Sequence, residues 1–243
     1  MPDRNSCRCS PEAFATWVEE LRQPVERIVY SGESLRAVAM PMGGIGAGNF
    51  ALTGDGTLRQ WQIFNQANHT AFLPGTFFGI RVQSGRRASE PTMRLLQTDC
   101  FYQTDFEPAL STSDHVIPDE ARRLASRAET FRDIEYSGEY PIARLRYVDE
   151  AFSPLIPLNS RDSGLPCAIF VFTVENTSDA RADVAIVGAL QNAVGYDAGS
   201  GISGVNCPCY GGNANHSVRE EMIRGVAMDN LGIAPDDPGA GSM

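Results

Sequence analysis

The chain is short of basic charge, cysteine, histidine and long apolar runs, and each shortage removes a class of function. Twenty basic residues face thirty acidic ones, a net charge of -10 over 243 residues. Nucleic-acid binding is driven by clustered basic charge on phosphates, so no nucleic-acid partner is expected. The one basic concentration, Arg122, Arg123 and Arg127, alternates with Asp119, Glu120 and Glu129, as on a solvated helix face. No stretch approaches the ~20 apolar residues of a membrane span, and the opening residues carry no apolar run of signal-peptide length. The chain reads as soluble and cytoplasmic, with no transmembrane segment. Six cysteines are too few for a disulfide scaffold. Cys7 with Cys9 and Cys207 with Cys209 form two C-x-C pairs, tighter than the spacing of structural zinc sites, so free thiols and no metal are expected. His69, His115 and His216 are scattered and form no H-E-x-x-H, and no G-x-S-x-G elbow is present. No cofactor is expected.

What the chain does have is a glycine-rich stretch, Met40 to Asn65. Gly43, Gly44, Gly46 and Gly48 lead into Asn49–Thr53, and Gly54-Asp55-Gly56 then turns the chain into Thr57–Phe64. An Asp-Gly pair between two apolar-containing runs is a strong hairpin signal, because the turn needs positive φ. Glycines within a strand mark a bulge or a close backbone approach. Their spacing matches neither phosphate-binding glycine pattern, which argues against a nucleotide site.

The rest of the chain reads as strands. Ser10-Pro11 opens a short helix whose Phe14, Trp17, Val18 and Leu21 form one apolar stripe. Residues 68–75 read as a loop, 76–82 as a strand and 118–128 as a brief helix. Ala143, Leu145 and Tyr147 alternate with Arg144 and Arg146, as in a sheet with one dry face. Prolines bar residues 152–157 from being central strand throughout. Residues 167–174 and 182–190 are apolar on both faces and read as strands buried in the middle of a layered structure, joined by a turn at 176–180. The residues after Gly195 read as long loops, with a strand near 222–228. Hydrophobic content of 42% suffices for a substantial core, and the lack of intervening helices argues for antiparallel pairing. The expected fold is all-β: an antiparallel β-sandwich with a short N-terminal helix.

PMGGIGAG followed by GDGTLRQWQIFN resembles the opening of the N-terminal domain of glycoside hydrolase family 116, which includes the non-lysosomal glucosylceramidases or bile-acid β-glucosidases. Further matching blocks occur in order at 138–147, 151–159, Asp162-Ser163, 173–178, Gln191-Asn192 and 211–213. The resemblance implies a lead-in segment at 1–37 and a β-sandwich over 38–243 that is incomplete at its C-terminal end. It also implies a parent enzyme that hydrolyses β-glucosides with retention, through a Glu nucleophile and an Asp acid/base in a downstream helical barrel. No residue of this chain takes either role. The implied partners are that barrel and, through the parent enzyme, a β-glucoside or glucosylceramide-like substrate.

Gly44, Gly46, Arg59, Trp61, Gln62 and Asn65 are the candidates for an interface with the barrel or the rim of its pocket. For Trp61 core packing is the stronger reading; for Arg59 and Asn65 the domain interface is. Two alternatives stand beside this: a self-standing carbohydrate-binding sandwich whose aromatic platform rests on Trp61 and tyrosines, and an interaction protein with an exposed edge strand. Asn68, Asn176 and Asn215 match glycosylation acceptors but read as turn residues.

Overall fold

A computed structural model of the chain describes residues 10, 15, 16, 19, 27–44, 48–63, 72–84, 90–102, 119–139, 142–148, 155–157, 168–195 and 212–234. Ala15, Thr16 and Glu19 are helical, while Phe14, Trp17, Val18 and Leu21 of the predicted stripe lie outside the described residues, as do both C-x-C pairs.

The fold is all-β. A 3-10 turn at Gly32–Ala37 precedes β1 (Ala39–Gly43), β2 (Asn49–Thr53) and β3 (Leu58–Gln62). Then come β4 (Phe77–Ser84), β5 (Thr92–Thr98), helix α1 (Asp119–Ala125), β6 (Glu129–Phe131), β7 (Asp133–Glu139), β8 (Ile142–Val148) and β9 (Leu155–Pro157). The last strands are β10 (Ala182–Ala189), β11 (Asn213–Arg219) and β12 (Arg224–Asn230). They pair in the orders β1-β2-β3, β10-β4-β5-β6, β7-β8-β9 and β11-β12. Pairing is antiparallel except between β5 and β6, which run parallel.

One core joins the first three of these sheets. In β1, Met40 and Met42 are buried while Ala39, Pro41 and Gly43 are exposed, the alternation of an edge strand, where a proline costs no ladder bond. The β7–β8 ladder obeys the alternation read from its sequence. Ile134 faces Tyr147 and Tyr136 faces Leu145 on the dry side, and Glu135 pairs with Arg146 at 2.9 Å on the wet side. Tyr136 is fully buried and its hydroxyl donates to the Leu52 carbonyl at 3.0 Å, tying this sheet to β2. Leu35 of the 3-10 turn is buried in the same core, and Tyr30 exchanges two 2.8 Å backbone bonds with Tyr136.

The two segments read as buried on both faces are not. Residues 168–174 belong to no named strand, and they alternate. Phe170, Phe172 and Val174 pack on the core, while Ile169 and Val171 are 51% and 42% exposed. The β10 strand lies at the end of its sheet, with Val184 and Val187 38% and 39% exposed. An apolar run satisfies a central strand, but nothing in its composition supplies the layer that would cover its second face. β11 also forms where loop was expected; its Asn-Ala-Asn-His-Ser opening lacks strand propensity and is held by pairing with β12 over seven residue pairs. β9, which ends in Pro157, is a three-residue edge strand, as a proline requires.

Candidate functional site

The predicted candidates lie on or beside β3, and one backbone irregularity decides where each points. Asn49 pairs with Gln62, but Ala51 pairs with Arg59, so β3 carries one more residue than β2 over this span. Such a β-bulge reverses the inside-outside parity of everything beyond it. Gln60, at φ 53, occupies it in the left-handed region. Arg59 and Trp61, two residues apart, therefore face opposite sides.

Trp61 turns to the apolar side. Its ring stacks on Phe50 at 4.6 Å and 24°, its Nε1 donates to the Leu58 carbonyl at 3.0 Å, and 5% of its surface is exposed. Phe50 stacks in turn on Phe170, and Phe170 and Phe172 both meet Phe78 of β4. Trp61 is thus the inner end of an aromatic row that bridges two sheets.

Arg59 turns to a polar lock built on the turn. Asp55, wholly buried, accepts on Oδ1 from the Thr53 hydroxyl at 2.6 Å, the Thr57 hydroxyl at 2.7 Å and the Thr57 N–H at 3.0 Å. Its Oδ2 accepts from the Tyr102 hydroxyl at 2.7 Å and from Arg59 Nη2. Arg59 Nε donates to the Thr57 hydroxyl at 2.6 Å. Burial alone would raise the Asp55 pKa, but the Arg59 charge and the bonds from Thr53, Thr57 and Tyr102 outweigh it and hold the carboxyl below its ordinary value. Tyr102 responds oppositely, pushed up by burial and by the Asp55 charge.

Two further arginines position Tyr102. Arg36 Nη2 donates to the Phe101 carbonyl at 2.6 Å with its guanidinium 5.3 Å from the Phe101 ring. Arg122 Nη1 donates to the Tyr102 carbonyl with its guanidinium 5.6 Å from the Tyr102 ring. The turn itself demands glycine. Gly56 has φ 82, and a Cβ there would lie 2.6 Å from the Leu96 carbonyl oxygen; at Gly54 a Cβ would lie 2.1 Å from the Leu35 carbonyl oxygen. The glycines of this stretch thus mark close backbone approach.

Of the remaining candidates, Gln62 is half-buried at the end of β3, Gly44 is buried just beyond β1, and Gly46 and Asn65 lie outside the described residues. The structure brings Arg59 together with Asp55, Thr57 and Tyr102, which were not singled out, and separates it from Trp61. The signal that marks the lock is the spacing Thr53-Gly-Asp55-Gly-Thr57-Leu-Arg59, with two hydroxyls two residues either side of an acid and an arginine four residues on.

A second polar junction gathers blocks distant in sequence. Asn192 Nδ2 donates to the Ala214 carbonyl at 3.1 Å and to Asn215 Oδ1 at 2.8 Å, and Asn213 Nδ2 donates to Asn192 Oδ1 at 3.1 Å and to the Val194 carbonyl at 2.8 Å. Asn230 Nδ2 donates to the same Val194 carbonyl at 3.1 Å. Next to it, Gln191 accepts from the Gly75 N–H at 2.9 Å and donates its own N–H to the Thr76 hydroxyl at 3.0 Å. The junction roots the β11–β12 hairpin. Among the described residues no group of three or more His, Cys, Asp or Glu is placed to hold a metal ion. A family model described as beta-glucosidase 2, glycosyl-hydrolase family 116 N-term, matches residues 39–243.

Proposed function

The chain belongs to the N-terminal domain family of glycoside hydrolase family 116, and from that premise we propose that it is a non-catalytic β domain supporting the catalytic helical barrel of its parent enzyme. In this reading residues 38–243 are the domain and 1–37 its lead-in. The parent is a cytoplasmic, retaining β-glucosidase of glucosylceramidase type, and the glycine-entry hairpin that carries Gly44, Gly46, Gln62 and Asn65 lies toward the barrel, with Arg59 and Trp61 fixing it from within. No helix among the described residues is long and apolar enough to cross a membrane.

The observation that supports the non-catalytic role is the state of Asp55, the one buried acid among the described residues. A glycosidase general acid needs a carboxyl whose pKa is raised, facing a second carboxyl across the scissile bond. Asp55 is held in the opposite direction, and its oxygens are occupied by five donors from Thr53, Thr57, Arg59 and Tyr102. It holds the fold together and has no free oxygen to offer a substrate. The burial of Trp61 weakens the rival carbohydrate-binding reading, since a ring covered by Phe50 has no open face for a sugar.

The test is an assay of the purified chain with an aryl β-glucoside, alongside calorimetric titration with glucosides and glucans. The expected result is neither turnover nor saturable binding. Turnover abolished by substituting an acid of this chain would overturn the reading. Saturable binding lost in a folded Trp61→Ala variant would replace it with the carbohydrate-binding one.

A further inference from the structure

Soluble proteins blunt the free edge of a sheet with lysine, proline, a bulge or extreme shortness, because an unpaired row of N–H and C=O groups is a template for another strand. β10 has none of these protections. It is eight residues long and pairs with β4 without a register shift from Ala182↔Ser84 to Ala189↔Phe77. It contains no proline and one charge, Asp183, near its start. The whole chain contains no lysine. Among the described residues β4 is the only strand hydrogen-bonded to β10. The surroundings are apolar as well: Val184, Val187 and Leu190 are exposed, and so are Ile169 and Val171 on the segment whose Phe170 and Phe172 pack against Phe78, the ring beside Gly188.

We propose that β10 is a dimerisation edge, on which a second copy of this chain pairs its own β10 antiparallel to continue the four-stranded sheet across a two-fold axis. The sheet's pleat restricts how this can be done. A two-fold axis perpendicular to the sheet keeps the core-facing side of both copies on one side, so each residue must pair with one of its own parity. Centring the axis on Ile186 satisfies that and overlaps the strands almost fully. Val184 then lies opposite Gly188 of the second copy, and Ala185 opposite Val187 of the second copy. Each valine meets a small residue, and Ile186 meets Ile186 of the second copy on the axis. The single charge, Asp183, falls opposite Ala189 of the second copy, so the two aspartates sit at opposite ends and do not repel. One strand and five flanking apolar side chains make a small contact beside the roughly 800 Å² per partner of a standard interface, and since area does not fix affinity the dissociation constant is read from the experiment. The proposal goes beyond the glycosidase reading and does not depend on it.

The test is sedimentation of the full 243-residue chain over roughly two decades of concentration about the micromolar range. A monomer–dimer equilibrium is expected. Ala185 and Val187 are both exposed, so A185K/V187K keeps the fold, checked by circular dichroism, while setting lysine directly opposite lysine across the axis; it should be monomeric. A185E/V187E should be monomeric for the same reason, and mixing the two variants should restore a dimer. Should either double variant misfold, Val187→Lys alone is expected to weaken the dimer about tenfold, and an unchanged dimer in it would count against the proposal. Monomer at every wild-type concentration overturns it, because the edge is then reserved for another strand. A dimer that survives in A185K/V187K, or that is lost instead in Met222→Ser, also overturns it and moves the contact to the β11–β12 tip.

Discussion

The β2–β3 and β11–β12 hairpins are both antiparallel and closed by short turns, yet they are opposites. The first is irregular, with a register shift and Gln60 at φ 53, and it is among the most buried parts of the molecule. The second holds seven consecutive pairs in unbroken register, and its tip residue Met222 is 96% exposed. Ladder regularity is a property of two backbones, whereas burial depends on what the side chains meet. Irregular backbone persists where the surroundings over-determine it: Gln60 is held between the Asp55–Arg59 lock on one side and the Trp61–Phe50 stack on the other. The second hairpin is fixed at its root by Asn192, Asn213 and Asn230 and needs no such support along its length.

The sharpest way to break this comparison is to remove a charge from the first hairpin. Asp55→Asn keeps the side chain's shape but leaves Arg59 buried opposite a neutral group, and removing one partner of a buried pair costs about 3–5 kcal/mol. Met222→Ser in the second hairpin should stay within about 0.5 kcal/mol. Urea midpoints measure both. Asp55→Leu combined with Arg59→Met should cost less than Asp55→Asn alone, because no charge is then stranded. If Asp55→Asn costs no more than Met222→Ser, the lock is not what holds the first hairpin.

Alkali should act almost as strongly, and on the same side of the comparison. Burial raises the phenol pKa of Tyr102, Tyr136 and Tyr147, with the Asp55 charge adding to it at Tyr102 and Tyr147. A raised folded pKa means that stability is intact below the unfolded value near 10. Above it the unfolded chain loses protons that the folded one keeps, at up to about 4 kcal/mol per pH unit for three phenols. Phenolate absorbance from these residues should therefore appear together with unfolding and not before it. At the acid end the sign reverses: Asp55 is lowered, so its contribution is present above its ordinary value and lost as pH falls below it. Phenolate absorbance rising at ordinary tyrosine pH while near-ultraviolet dichroism stays native would show that these rings are not sealed.

Much of the first hairpin was legible in the residues, because glycine and Asp-Gly chemistry is local: Gly56 needs its φ and Gly54 needs its missing Cβ. The alternation of β8 was legible for the same reason, each residue reporting its own face. Arg59 and Trp61 were harder, since a bulge depends on the pairing strand and moves every later side chain to the other face. The Tyr102 arm of the lock was not legible because Tyr102 reaches Asp55 from 47 residues away, whereas the Thr53-to-Arg59 arm is written in local spacing. The reading of β10 as central failed on a related limit: an apolar run shows that a face prefers cover, but which layer provides it is settled by the whole topology.

The finest test of the contrast between the hairpins uses one methyl group in each. Gly56→Ala places a Cβ at φ 82 and 2.6 Å from a backbone oxygen that cannot move aside cheaply, so a loss of roughly 2 kcal/mol is expected from the left-handed strain and the overlap together. At Gly225, in β12, a Cβ meets nothing within 4 Å and φ lies outside the left-handed range. Alanine there restricts the unfolded chain without straining the folded one, which should raise stability by about 0.4–1 kcal/mol. The two urea midpoints should therefore move in opposite directions. Movement in the same direction would mean that Gly225 is not open, and that the second hairpin is covered along its length in solution.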